Sequence, residues 1–293
     1  MVSIGFKTAQ SDVDWPTLVA TWELADGLAE LDSGWLFDHM VPVRDEQARS
    51  GGTFESWTAA GALAARTRRL RFGHLVLSNT FRHPALLARM AATLDHVAGP
   101  DRLVVGLGAG WLEAEHRMYG WELPSVRDRL DRLAASVRTL KGLWGSPDGF
   151  SQAGPYPLDD AVARPAPLTA GGPPVWLGTQ GKVRGLRILA ETADGWNANG
   201  PLEEFPEKRD ALYRHCDAVG HDPAEIEISA QFVARGQPAS QLIAEAQALV
   251  DGGVRHLIFG LRAADGPAAV ERLVSDVVAP LRELYGPAAA AAR

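Results

Sequence analysis

Short apolar segments alternate with amphipathic segments along most of the chain. The segments between the apolar ones place apolar residues at helical spacing, as Leu87, Met90, Leu94 and Val97 do after Pro84. This alternation predicts parallel strands joined by helices. We expect strands at residues 4–9, 33–39, 70–78, from 103 onward, 175–178, 195–198, 225–233 and 256–261.

Eight such repeats make up a (β/α)8 TIM-like barrel, a fold that fits a chain of 293 residues. An open doubly wound sheet is the structural alternative. The barrel is favoured because the predicted strands number eight, as a closed barrel of this type requires, and because Pro/Gly loops follow the strands. We expect residues 1–293 to form a single domain, with a Pro/Gly-rich insertion after strand four, residues 145–174, lying over the barrel mouth. The active site of such barrels lies at the carboxyl ends of the strands.

Composition and charge exclude several classes of protein. The net charge of -7 and the lack of a basic run argue against a nucleic-acid partner. The single cysteine, Cys216, excludes an internal disulfide framework and a cysteine-based zinc site. No apolar run reaches about 18 residues, and no signal peptide is evident, so we expect a cytoplasmic protein without a membrane partner. The sequence has no HxH, HExxH or GxSxG motif, so neither a metal nor serine-hydrolase chemistry is indicated.

Two of the predicted strands end in glycine. Glycine has no Cβ, so a flat ring or a phosphate can approach the backbone there. Lys182 and Arg184 follow the second glycine segment, in the first turn of the next helix, where the helix dipole disfavours cations unless an anion lies nearby. An ordinary glycine turn is the alternative. The residues predicted to bind a cofactor here are Gly108, Ala109, Gly110, Gly178, Thr179, Gln180 and Gly181.

Polar and aromatic residues at other strand ends are further candidates. Asp38 and His39 end the second strand, where a histidine can move a proton or donate a hydrogen bond to a ring carbonyl; a loop-capping histidine is the alternative. Ser78 ends the third strand and can bond the edge of a heterocycle, or form part of a polar turn. Trp111 and Trp196 follow strand ends, where an indole can stack on a ring and shape a substrate pocket.

Four passages, taken in order, resemble the bacterial luciferase-like monooxygenase superfamily, which contains flavin-dependent monooxygenases and oxidoreductases that use the deazaflavin coenzyme F420. The resemblance covers roughly residues 3–285 and implies a TIM-like barrel, usually dimeric, with the cofactor ring across the mouth. The passages are Trp35–Pro42, Phe72–Pro84, Arg102–Gly120 and Val175–Asn197.

The resemblance also implies roles for individual residues. Asp38 and His39 match the site on strand two where the histidine faces the reactive side of the ring. Leu75, Val76 and Leu77 match a bulge on strand three that supports the back of the ring, and a non-prolyl cis peptide is expected near Leu75-Val76. The two glycine segments match the parts of the family that hold the tail and phosphate of the cofactor.

Departures from the family pattern separate its branches. Deazaflavin sugar-phosphate dehydrogenases carry a glutamate where this chain has Trp111, although Glu113 lies two residues on. Many members that use FMN have a His and a Tyr before the fourth helix that hold the phosphate, and residues 126–130 contain neither. We therefore expect hydride transfer between F420 and a small organic substrate, with His39 donating a proton or polarising the acceptor. The alternatives are an FMN-dependent monooxygenase served by a separate reductase and a non-catalytic flavin-binding barrel.

Overall fold

Parallel strands alternate with helices throughout the computed structural model, which describes residues 2–43, 51–234 and 236–287. In chain order the strands of these residues are β1 (Ser3–Ala9), β2 (Ser33–Leu36), β3 (Arg71–His74), β4 (Leu77–Ser78), β5 (Leu103–Gly108), β6 (Phe150–Gln152), β7 (Leu158–Ala161), β8 (Val175–Gly178), β9 (Gly195–Ala198), β10 (Glu227–Val233) and β11 (His256–Arg262).

The main sheet closes on itself. Its strand order is β3-β2-β1-β11-β10-β9-β8-β5-β4, and β3 also pairs with β5, which completes a ring of eight parallel strands with β4 bonded outside it. The predicted TIM barrel is confirmed, and the doubly wound alternative is wrong because an open sheet has two unpaired edges. Eight parallel strands in a closed ring bring all their carboxyl ends to one end of the barrel.

Helices follow the barrel strands in the part of the chain that the structure describes. Asp14 caps the first of them by accepting a hydrogen bond from the Thr17 amide. The second helix begins at Ser56, and the Glu55 side chain caps it by accepting hydrogen bonds from the Trp57 and Thr58 amides. The helices are α1 (Trp15–Gly27), α2 (Ser56–Arg66), α3 (Pro84–Ala98), α4 (Glu113–Tyr119), α5 (Val126–Gly145), α6 (Gly185–Thr192), α7 (Phe205–Val219), α8 (Ala239–Asp251), α9 (Gly266–Leu273) and α10 (Ala279–Tyr285).

The third predicted strand is broken where the resemblance places its bulge. The peptide bond between Leu75 and Val76 is cis, which confirms the expected non-prolyl cis peptide. The break divides the predicted strand into β3 and β4. The second predicted strand is also shorter than expected: β2 ends at Leu36, so Asp38 and His39 lie in the segment that follows it.

The contacts divide the chain into two compact units. Unit 1 contains residues 1–73, 197–206 and 227–293, and unit 2 contains residues 74–196 and 207–226. Within unit 2, the insertion forms the antiparallel β6–β7 hairpin and a return segment of turns and bends, residues 162–174. The return segment is fixed to α3, since the buried carboxylate of Asp95 accepts hydrogen bonds from the Thr169 amide at 2.8 Å and hydroxyl at 2.7 Å. That the insertion covers the barrel mouth stays a prediction.

Candidate active site

The segment after β2 carries Asp38 and His39, and a buried glutamine holds it in place. Gln10 follows β1, and its amide donates to the Phe37 carbonyl at 2.7 Å and accepts from the Phe37 amide at 3.4 Å. Asp38 is buried, with 2% of its surface exposed. His39 is half-buried, and its ring lies 5.2 Å from that of Phe37. The Gln10 clamp therefore fixes the backbone directly before both predicted site residues, and the sequence analysis missed it.

Val76 lies at the carboxyl ends of two neighbouring strands in unit 2. A Cβ built on Gly108 of β5 would lie 2.6 Å from a Val76 methyl, and one built on Gly178 of β8 would lie 2.8 Å from the other methyl. The two glycines thus leave room for the Val76 side chain, with Leu75 and Leu77 buried beside it. The bulge places the Val76 side chain at the strand ends, and its role behind a cofactor ring stays a prediction.

A chain of hydrogen bonds runs from the end of β4 into α4. The Ser78 hydroxyl contacts the Thr80 hydroxyl at 2.7 Å, and Thr80 contacts Nε2 of the buried His116 at 2.7 Å. Gly110 has a φ of +80°, and a Cβ on it would lie 2.8 Å from both hydroxyl oxygens. The glycine run 108–110 is therefore shaped by the neighbouring side chains. Ala109, between these glycines, is half-buried.

The two tryptophans predicted to shape the pocket differ in exposure. Trp111 follows Gly110 with 62% of its surface exposed. Trp196 is fully buried and donates from Nε1 to the Thr179 carbonyl at 3.1 Å. Trp196 therefore supports the loop after β8 from below.

The loop after β8 contains the second predicted glycine segment. Thr179 packs its hydroxyl against Gly185, where a Cβ would lie 2.0 Å from it, and the Gly181 carbonyl accepts from the Leu186 amide at 3.0 Å. Gln180 and Gly181 are exposed. The loop is thus fixed to α6 at both ends while its centre remains open to a ligand.

The two cations beside this loop have carboxylate partners. Lys182 pairs with Glu207 and Arg184 pairs with Asp131. Their position in the sequence is therefore not evidence for a bound anion. The sequence analysis missed a cation that contacts the loop: Lys208 of α7 is 5% exposed and donates to Gln180 Oε1 at 3.3 Å.

Ionisable residues also occupy the inside of the barrel in unit 1. His256 contacts Ser33 Oγ at 2.7 Å and Glu227 at 2.9 Å, and Arg71 pairs with Glu227 at 3.2 Å. Burial alone would raise the pKa of Glu227, but the hydrogen bond from His256 and the charge of Arg71 outweigh it and lower this pKa to about 2. Lys7 of β1 lies nearer the carboxyl ends of the strands, and burial lowers its pKa from 10.5 to about 8.

Neither a metal cluster nor a membrane-spanning helix is present among the described residues. No cluster of three or more His, Cys, Asp or Glu side chains with the geometry of a metal site was found among them. None of their helices is both long and apolar enough to span a membrane.

Comparison with known proteins shows the family. The model of the luciferase-like monooxygenase family matches residues 8–283, so the chain belongs to that family. An F420-dependent glucose-6-phosphate dehydrogenase of Kineococcus radiotolerans is 27% identical, over 96% of this chain and 97% of the relative. An FMNH2-dependent dimethylsulfone monooxygenase of Pseudomonas putida is 31% identical, over 67% of this chain and 54% of the relative.

A solved structure agrees on the fold. An F420-dependent secondary alcohol dehydrogenase in complex with an F420-acetone adduct superimposes with a TM-score of 0.81, over 94% of this chain and 98% of that protein, at 18% identity. The predicted membership and the predicted barrel are both confirmed. The roles of the individual site residues remain predictions.

Proposed function

We propose that this protein is an F420-dependent oxidoreductase that transfers hydride between the deazaflavin and a small organic substrate. The observation that carries the proposal is the position of Val76 between Gly108 and Gly178, which forms an apolar support at the strand ends. The exposed loop at Gln180 and Gly181 offers backbone N–H groups for a phosphate. A relative that matches over nearly its full length is named as F420-dependent.

When bound, the cofactor supplies the hydride. The contribution of the protein is to position the reactants, exclude water and supply a proton. His39 is half-buried beside Phe37, and its neighbour Asp38 is buried, so an imidazole at the mouth can donate a proton to an electron-poor C=C, C=N or carbonyl group. Gln10 holds the backbone that carries both residues. Trp111, which is exposed beside the glycine run, shapes the substrate pocket together with the insertion.

The contacts at the start of α5 support F420 over FMN. The resemblance implies that many members that use FMN hold its phosphate with a His and a Tyr from this segment. Here Ser125 caps α5 by accepting from the Asp128 amide at 3.2 Å, and the Arg129 guanidinium binds the carbonyls of Pro124 and Gly110. These residues are engaged in holding the start of α5 against the end of β5.

An FMN-dependent monooxygenase is the second candidate, because a relative named as FMNH2-dependent matches two thirds of the chain. It would take reduced flavin from a separate reductase and consume oxygen. A non-catalytic flavin-binding barrel would bind a cofactor and turn over no acceptor. We further expect the protein to be cytoplasmic and to form a homodimer. Light scattering on the purified protein would test the dimer.

The test of the proposed function is oxidation of reduced F420 under anaerobic conditions with a panel of enones, imines and ketones. Recovery of the visible absorption of oxidised F420, dependent on both protein and acceptor, is the expected result. Oxygen consumption with free reduced FMN and no turnover of F420 would favour the monooxygenase. Tight F420 binding with no turnover on any acceptor would favour the non-catalytic barrel.

A further inference from the structure

Lys7 points into the barrel. On β1, Phe6 packs edge-on against Trp22 of α1 at 5.3 Å, and Thr8 accepts a hydrogen bond from the Trp22 indole at 3.0 Å. Because α1 lies outside the barrel and successive strand residues point to opposite faces, Lys7 faces the interior. Its ammonium donates to Gln231 Oε1 of β10 at 2.8 Å. β11 lies between β1 and β10 in the sheet, so this bond passes across the barrel interior in front of β11.

A directed chain of hydrogen bonds extends from Lys7. The Gln231 amide donates to Asn197 Oδ1 at 2.5 Å, and the Asn197 amide donates to Ser229 Oγ at 2.9 Å. Each amide thereby turns its oxygen toward the donor before it, and Gln231 presents an oxygen to Lys7. The chain fixes the position of the ammonium.

Lys7 and Gln231 form the floor of the open end of the barrel. Both are half-buried, whereas the inward-facing Ser33, Ser229 and His256, which lie deeper, have 0% of their surface exposed. The fully buried residues close the barrel below Lys7 and Gln231. The exposed part of these two inward-facing side chains must therefore face the open end of the barrel, its mouth. Lys7 precedes the last residue of β1 by two positions, or roughly 7 Å of strand. A ring at the strand ends would therefore lie about one layer above the ammonium.

We propose that Lys7 is the positive charge beneath the bound deazaflavin ring and that it favours the anionic form of that ring, an inference that rests on the proposed function. The ring carries an acidic hydroxyl, and an ammonium held below it in a site of low dielectric stabilises the deprotonated state. The lowered pKa of Lys7 reflects the desolvation of its charge, which an anionic ligand would offset.

Other charged groups on the neighbouring strands also affect the pKa of the ring hydroxyl. After β2, the carboxyl group of Asp38 would oppose the stabilisation of an anionic ring by Lys7. His39 is the next residue after Asp38. On β10, Glu227 lies two pleats below Gln231 and is paired with Arg71 and His256. At the end of β11, Arg262 pairs with Asp265. The groups on β10 and β11 keep their charges in every variant used below, so a change at Lys7 isolates its own contribution.

The test is an absorbance titration of bound oxidised F420 against pH, since protonation of the ring hydroxyl weakens its visible band. In the wild-type complex this hydroxyl should titrate at lower pH than in free F420. Lys7→Met should raise the midpoint by about one to two pH units, the effect of one unit charge over this distance at an intermediate dielectric. Lys7→Arg should stay close to wild type because it keeps the charge.

Lys141→Met is the matched control. Lys141 pairs with Asp194 at 2.6 Å and is 40% exposed, so removing its charge changes the net charge equally without altering the barrel interior. Equal midpoints for wild type and Lys7→Met, an equal shift in Lys141→Met, or a wild-type midpoint above that of free F420 would each overturn the inference. Failure of wild-type protein to bind F420 would instead contradict the proposed function itself, and this inference with it.

Discussion

At the scale of single residues, His39 is the side chain on which the proposed chemistry depends most. His39→Ala should lower kcat by about 100-fold or more, the usual contribution of a positioned proton donor. The Kd for F420 should change far less, because Val76 and the loop after β8 would still hold the cofactor. Stopped-flow turnover and a fluorescence titration measure the two quantities.

His221→Ala is the control for this substitution. His221 contacts the Ala190 carbonyl at 2.8 Å within unit 2, so its loss should leave kcat unchanged. Equal losses of turnover and of cofactor affinity in His39→Ala would show that His39 only binds.

Lys7 also makes a prediction about stability. Burial lowers its folded pKa from 10.5 to about 8, so between these values the unfolded chain holds more protons than the folded one. The free energy of unfolding should therefore rise as the pH rises from about 8 towards 10.5. Lys7→Met should be more stable than wild type at pH 7, and this difference should shrink over the same range. Urea unfolding at a series of pH values measures it, and a constant difference would contradict the account.

At the scale of elements, the broken third strand determines the shape of the site. Gly108→Ala would place a Cβ 2.6 Å from a Val76 methyl, so either the bulge or β5 must shift. We expect a loss of about 1–3 kcal/mol of stability, typical of overpacking, together with weaker F420 binding. Adding Val76→Ala should recover most of the stability, because it removes the methyl that clashes.

Gly61→Ala serves as the reference for this pair of substitutions. Nothing lies within 4 Å of a Cβ at Gly61 in α2, so alanine there should stabilise the helix slightly. A Gly108→Ala protein as stable as wild type, or a double variant no better than Gly108→Ala alone, would show that Val76 does not occupy the space between the glycines.

The elements also show where sequence reasoning succeeded. Periodicity and strand count predicted the barrel, and the resemblance predicted the cis peptide at Leu75-Val76. Both rest on local patterns. The Gln10 clamp on Phe37 and the bond from Lys7 to Gln231 join residues 27 and 224 positions apart, and nothing in either local pattern indicates the partner. The interpretation of Lys182 failed for the same reason, since its partner Glu207 comes from a later helix.

At the scale of the whole molecule, the closed barrel and the family membership define the kind of site, whereas the residues at the strand ends define the cofactor and the acceptor. The relatives include proteins named as F420-dependent and as FMNH2-dependent on one fold, so the fold alone does not decide between them. The support for F420 comes from the contacts of Ser125 and Arg129 at the start of α5 and from the match to an F420-dependent relative over nearly its full length.

The most direct test of the central claim is a fluorescence titration of the purified protein with F420 and with FMN under identical conditions. We expect F420 to bind at micromolar concentration or below, and FMN to bind at least ten times more weakly. Preference for FMN would contradict the assignment, and would direct attention to oxygen chemistry and a reductase partner.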